Sequence, residues 1–369
     1  MNIPFLNKYS TGTIFIIGLS IPLSIFLFMQ AINDPLLFTQ TLSRALGLGA
    51  VYAIVALGFV LIFKATQTVN FAQGALAVSG ALFVSFAVND EHIPLTKIKN
   101  PLIGFGQSAD GTPSWYGWLL SVAIALVFAA VLGLLIERVA IRPMVGQPLF
   151  SVAVITLGLE IVLRVFNNDT VKVNFRSLQI PWGNGGFRIG GEVNELGLEN
   201  GGAFINWSYL ASMGTATVAF VAVYFFYRSK TGIAMRAVAF DQEAAMAQGI
   251  DVGRVFAIAW GAGAVLAAIG GIFATQPPVT ATGAVEPTTA NIAFRALPAV
   301  ILGGLDSATG ALVGGLIVGS AEVFSGQYAS GEVDLLGAGY PLIVPYVVMV
   351  IALLVKPYGL FGTPEVRRV

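Results

Sequence analysis

The sequence predicts an all-α membrane protein, one domain over residues 1–369 with about ten transmembrane helices. Three observations carry this. Hydrophobic residues make up 56% of the chain and charged residues only 10%, against roughly 25% charged in soluble domains. The apolar residues fall into runs long enough to cross a bilayer core of about 30 Å, which takes about 17 to 25 helical residues. Glycine is abundant, with 43 residues, as expected where helices cross closely in lipid.

The clearest spans are Thr13–Ile32, Ala45–Phe63, Tyr116–Ile136, Leu149–Phe166, Trp207–Tyr227, Val255–Thr275 and Tyr340–Val355. Asn70–Val88 is more polar, and Thr288–Gly304 with Thr309–Phe324 form a pair broken by glycines. Lys8 precedes the first run, as in a signal peptide. That run is longer than a usual signal core and lacks a small-x-small exit, so it is read as a span. Loop charges predict orientation, because short cytoplasmic loops collect Lys and Arg. With both termini inside, Lys8, Lys64, Arg138, Arg142, Arg228, Lys230, Arg236, Arg254, Lys356, Arg367 and Arg368 are cytoplasmic; Arg44, Lys97, Lys99, Lys172, Arg176 and Arg188 are outside.

Two outer loops are long, 89–115 and 167–206, the second carrying Glu192, Glu195 and Glu199. Both are expected to form ordered surface over the helices. The second divides the chain into two sets of five spans that begin on opposite sides, the signature of an inverted repeat.

Several functions are disfavoured. The formal net charge is zero, so no basic surface invites nucleic acid. With no cysteine and a single histidine, His92 in a polar stretch, neither a thiolate metal site nor a histidine-centred catalytic or zinc site is expected. No glycine-rich loop ends in Lys-Ser or Lys-Thr, so the chain has no nucleotide site of the Walker type and binds no cofactor of its own.

Charged groups within spans need partners, since one at mid-span costs about 2.5–3.5 kcal/mol. Glu160 and Arg164 stand one turn apart on one helix and can pair. Glu322 can pair with Arg295 across the Gly303–Asp306 turn. Both are expected to be structural pairs, with Glu160 also a candidate for the solute path. Asn70, Gln73 and Thr156 offer uncharged hydrogen bonds and are further path candidates, the alternative being bonds between helices.

Between the sixth and seventh spans, residues 228–254 are too polar to cross the membrane. Asp241 is an N-cap, Gln242 to Gln248 are mostly helix formers, Gly249 supplies a left-handed exit and Asp251 caps the next helix. A short helix is therefore expected along the cytoplasmic face.

Glu243-Ala244-Ala245 followed by Gly249 resembles the loop by which permeases of ABC importers dock into a groove on a cytoplasmic ATPase. Other blocks occur in order. They are Gly47-x-Gly49-x-x-Tyr52-Ala53-x-x-Ala56-Leu57-Gly58, Asn70-Phe71-Ala72-Gln73-Gly74 and Glu137-Arg138-Val139-Ala140-x-Arg142-Pro143. There follow Gly232-x-x-x-Arg236-Ala237, Gly249-Ile250-Asp251-x-x-Arg254-Val255 and Ala299-Val300-x-Leu302-Gly303-Gly304. The last are Gly310-Ala311-x-x-Gly314-Gly315-x-x-x-Gly319 and Pro357-x-Gly359-Leu360-Phe361-Gly362-x-Pro364-Glu365-Val366. Together, from about Gly47 onward, they resemble the branched-chain amino acid ABC importer permeases of LivH type.

That resemblance implies a non-enzymatic permease subunit of a bacterial inner membrane importer, with Asp241, Glu243, Ala244, Ala245, Met246, Gly249 and Ile250 as the ATPase-coupling loop. The alanines are expected to let the loop helix sit deep in the ATPase groove. The implied partners are a second, LivM-like permease, two ATPase subunits that use the ATP, and an extracytoplasmic binding protein. The expected solutes are branched-chain or other neutral amino acids; urea and short amides, and an ATP-independent carrier or channel, are alternatives. Two residues depart from the family pattern: Gln73 stands where histidine is usual, and Asp306 precedes Ser307 in a turn where little consequence is expected.

Overall fold

A computed structural model describes residues 24–89, 92, 98–101, 114–171, 176–193, 199–280, 282–329 and 339–363. Its long elements are helices. The first, α1 (Ser24–Asn33), is the end of the predicted Thr13–Ile32 span, whose remainder lies outside the described residues. Asp34 then caps α2 (Pro35–Thr66), accepting a bond from Leu37 N at 2.9 Å. From Ala45 onward α2 is buried on nearly every side, as a helix that is apolar all round should be. Helix α3 (Gln73–Asn89) follows, then α4 (Trp115–Ile136), which runs through a π-helical turn, Glu137–Ile141, toward α5 (Leu149–Val171). The second part comprises α6 (Trp207–Arg228), α7 (Lys230–Phe240), α8 (Gln242–Ala247), α9 (Val252–Ala274), α10 (Ile292–Gly303), α11 (Ala308–Tyr328) and α12 (Val344–Val355).

Among the described residues, six helices are long and apolar enough to cross a membrane. The predicted spans Asn70–Val88 and Thr288–Gly304 are shorter as helices than as apolar runs. Residues Asn70–Ala72 stay outside α3, where the Asn70 carboxamide accepts Ala72 N at 3.0 Å. Pro287 starts a tight 3₁₀ turn, Pro287–Asn291, ahead of α10. The two shortened helices meet at their beginnings, Gly74 lying against Ala290 and Ala293.

Packing relations come in pairs. Helix α2 lies on α11 as α9 lies on α4; α3 lies on α9 as α10 lies on α2. Likewise α3 touches α4 and α5, and α10 touches α11 and α12. Val55 meets Gly270 and Ile62 meets Gly263, so α2 and α9 run antiparallel at the centre. Exchanging α2–α5 with α9–α12 therefore reproduces the arrangement with reversed direction. The two central helices also share residues at the same places, Gly47-x-Gly49-Ala50-Val51-x-Ala53 and Gly261-x-Gly263-Ala264-Val265-x-Ala267.

The α2–α11 crossing is backbone on backbone. A Cβ on Gly315 would fall 2.6 Å from Ala53 N, and one on Gly319 would overlap the main chain of Gly49. No side-chain rotation relieves such overlap, and overpacking costs about 1–3 kcal/mol. Gly319→Ala is expected to lose about 2 kcal/mol, read as a lower melting temperature in detergent. An unchanged melt would show that the helices separate without cost.

Helices α4, α5 and α6 expose apolar side chains along their outer faces, among them Leu119, Val131, Phe150, Ile161, Val218 and Phe225. At one end Trp115 stacks on Trp182, Trp118 meets Trp182 edge-on and Trp207 packs beside Phe187. Such a ring belongs at a membrane–water interface. The described part of the second outer loop differs from its predicted start: α5 extends to Val171, so Asn167 is helical. Three short antiparallel ladders follow, β1 (Arg176–Ser177) with β6 (Ala284–Val285), β2 (Gly186–Ile189) with β5 (Ala203–Asn206), and β3 (Glu192–Val193) with β4 (Glu199–Asn200). Glu195 and most of the first outer loop lie outside the described residues.

Candidate functional site

The polar segment 228–254 forms two helices where the sequence predicts one. The Ser229 hydroxyl accepts Gly232 N at 3.3 Å and starts α7, which the sequence reading missed although serine before a helical run is its signal. Met235 and Val238 anchor α7 inside the protein, and Arg236 donates to Tyr227 O at 2.8 Å. Asp241 then breaks the helix, its extended backbone letting Oδ1 accept Ala244 N at 2.9 Å and begin α8.

Helix α8 closes in a paired-bond cap. Ile250 N donates to Ala245 O at 3.0 Å and Gly249 N to Met246 O at 2.9 Å, with Gly249 at φ +79°. Asp251 Oδ1 accepts Arg254 N at 3.0 Å and starts α9 at once. The segment is thus capped at every joint. Its outer face presents Phe240, Glu243, Ala244 and Met246, with Phe240 80% exposed, while Ile250 is half-buried. Of the two alanines expected to let the helix sit deep in a partner's groove, Ala244 faces outward, whereas Ala245 is 4% exposed and packs into its own chain. Six residues make under two turns, and the inner side of α8 must rest on something.

The uncharged path candidates come together inside the protein. Asn70 Nδ2 donates to Gln73 Oε1 at 3.0 Å, and Gln73 Nε2 reaches Gly263 O at 3.5 Å beside Gly58. Thr156 Oγ1 accepts Phe71 N at 3.2 Å. All three side chains are buried, so in this conformation they bind main chain and one another. Glu160 is joined to them: one oxygen accepts Ala75 N at 3.2 Å, in the first turn of α3, and the other is bonded to Arg164. A carboxylate suits a helix start, where free N–H groups and the helix dipole favour negative charge. Asn167 extends the ladder, donating to Ala75 O at 3.0 Å and accepting the Ser79 hydroxyl at 3.1 Å. It lies seven residues beyond Glu160 on the same face, a spacing that could have identified it.

A second buried cluster holds Arg295 of α10 and Glu322 of α11, bonded to each other. The Tyr52 hydroxyl of α2 donates to the remaining Glu322 oxygen at 2.5 Å. Tyr52 was visible in its sequence block but carried no sign of this role.

Asp306 also differs from expectation. Its carbonyl accepts Lys64 Nζ at 2.8 Å, and Lys64 lies 4.6 Å over the Tyr227 ring. Its carboxylate binds the Thr363 amide at 3.3 Å and the Thr363 hydroxyl. Leu360 N and Phe361 N donate to Leu302 O and Gly303 O. The acid thus fastens the tail after α12 to the α10–α11 turn, a consequence the sequence reading did not foresee because Thr363 is 57 residues away.

Among the described residues, no group of His, Cys, Asp or Glu is placed to hold a metal ion. No solved structure matches the chain. Residues 41–353 match the family described as the branched-chain amino acid transport system permease component. The chain is 31% identical over 340 residues to the high-affinity branched-chain amino acid transport system permease protein LivH of Escherichia coli K12, covering 90% of this chain and 98% of that protein. It is 28% identical over 333 residues, with the same coverage, to the permease protein BraD of Pseudomonas aeruginosa. The probable LivH of Methanocaldococcus jannaschii is 26% identical over 326 residues, spanning 84% of this chain and 88% of the other. With a membrane-helical fold and relatives matched nearly end to end, the chain belongs to the family of branched-chain amino acid transport system permease components.

Proposed function

We propose that this chain is the membrane subunit of an ATP-driven importer that moves branched-chain or other neutral amino acids into the cell. It sits in the inner membrane with both termini inside, beside a second, LivM-like permease. Two ATPase subunits bind from the cytoplasm, and an external binding protein delivers the solute. This chain performs no covalent chemistry. The observation that carries the reading is the capped α7–α8 segment, which joins α6 to the central helix α9 and holds out Phe240, Glu243, Ala244 and Met246.

An apolar and acidic face on a short rigid element suits docking by a helix in a groove. Closure of the ATPases then pulls on α8, and the paired caps at Gly249 and Asp251 pass the pull to α9 without slack. Because α9 packs on α2, α3 and α4, its tilt rearranges both inverted halves, which supports alternating access around a path near their centre.

Glu243→Ala and Gly249→Val test the assignment through ATPase copurification and solute uptake by the assembled complex. Both variants are expected to lower ATPase binding and uptake by roughly tenfold, the loss of one interface anchor. Valine at Gly249 acts through the backbone, since its φ of +79° is strained for a β-branched residue. Normal docking and uptake in both variants would sink the coupling assignment.

A further inference from the structure

We infer that Glu137 and Arg142 form a positioning device that ties the exit of the coupling segment to α4 and α5, so that motion of α8 reaches these helices together with α9. The inference rests on the proposed coupling role of residues 228–254.

The joint is built from three contacts. Glu137 is 1% exposed, and its two oxygens receive Arg142 Nε at 3.0 Å and Nη2 at 3.4 Å. This two-pronged pairing fixes the plane of the guanidinium as well as its place. The guanidinium then lies against Gly253, where a Cβ would fall 3.1 Å from Cζ and 3.2 Å from Nε and Nη2. Gly253 is the second residue of α9, four positions after Gly249.

The local backbone serves the same contact. After Ile136, α4 widens into the π-helical turn Glu137–Ile141, and Arg142 opens a short 3₁₀ turn, Arg142–Met144. A π-helical turn is rare and recurs at functional sites. Here it turns Glu137 inward and brings the stretch between α4 and α5 against both α9 and α5. Higher up, α4 meets α9 through Gly133 beside Trp260 and Ala264. Gly133 lets the two backbones approach closely there. The charged joint at the cytoplasmic end adds a second point of attachment, so the start of α9 carries the end of α4 along.

The test uses the complete importer, reconstituted in liposomes with its ATPases and binding protein, carrying Gly253→Ala, Arg142→Lys or Glu137→Gln. Alanine at 253 pushes the guanidinium aside by a few tenths of an ångström and so loosens its pairing with Glu137, whereas lysine keeps the charge but loses the flat, two-pronged face. Each variant is expected to retain ATPase copurification, to lose roughly tenfold in uptake per complex, and to hydrolyse more ATP per solute moved. Wild-type uptake and ATP-to-solute ratio in all three variants would overturn the inference. So would an uptake loss that only follows the amount of folded complex. Failure of the ATPases to copurify with the unaltered chain would instead remove the coupling-segment reading beneath it.

Discussion

A Glu322→Ala chain is expected to be about 3–5 kcal/mol less stable than the parent and largely lost from the membrane. Glu322 receives two donors from two other helices, Arg295 of α10 and Tyr52 of α2. Its removal strands both. The Tyr52 ring is fully buried, and Arg295 Nε is already a buried donor without a partner among the described residues. In hydrocarbon no water takes over the released bonds, so the guanidinium bears a desolvation cost with no counter-charge.

Tyr52→Phe removes a single bond to a charged acceptor and should cost about 1.5–3 kcal/mol, leaving the ion pair intact. The double variant Glu322→Leu with Arg295→Leu removes both charges together and should recover most of the loss, because a buried pair is often replaceable by apolar residues. Melting in detergent of Glu322→Leu, Arg295→Leu and the double variant gives the coupling between the two sites. Additive losses would show that the pair does not hold α10 and α11 together.

What the sequence made legible, and what it did not, divides by the distance over which the forces act. Hydropathy is a local property, so the helices around Ala45–Phe63, Tyr116–Ile136 and Val255–Thr275 were readable as spans and are found at those places. Caps are equally local: Asp241, Gly249 and Asp251 were read from residue type alone and take those positions. The Glu160–Arg164 bond lies within one helical turn, and the Arg295–Glu322 bond joins consecutive helices.

Contacts between distant segments carried no such trace. Nothing near Asp306 announces Thr363, and nothing near Glu137 announces Gly253. The shortened starts of α3 and α10 were misjudged for a related reason. Apolar content measures what lipid or protein interior tolerates, whereas Asn70 and Pro287 decide where the backbone can be helical. The orientation of Ala245 depends on which side of α8 faces the core, and a six-residue helix has too little periodicity to tell.

Glu160 separates support from transport. Glu160→Ala should lower stability by about 2–3 kcal/mol, because it frees the Ala75 N–H at the start of α3 and leaves Arg164 unpaired. The cost stays below that for Glu322 because Arg164 lies two turns from the end of α5, where a long cationic side chain can reach toward the interface. Helix α5 packs Val152, Ile155, Leu159 and Leu163 on the core, and its polar bonds run from Glu160 and Asn167 to α3 and from Thr156 to Phe71 just ahead of it. Glu160→Gln keeps a side-chain oxygen for Ala75 N and should lose about half as much.

In this conformation both oxygens of Glu160 are engaged and the residue is 6% exposed, which favours support over contact with a solute. Uptake per folded complex in Glu160→Gln is therefore expected to equal the parent's, with total uptake falling only as the amount of protein falls. Measuring uptake against complex abundance decides the matter. A glutamine variant present at normal levels but unable to transport would place the carboxylate in the solute path, and α5 would then have to part from α3 during the cycle.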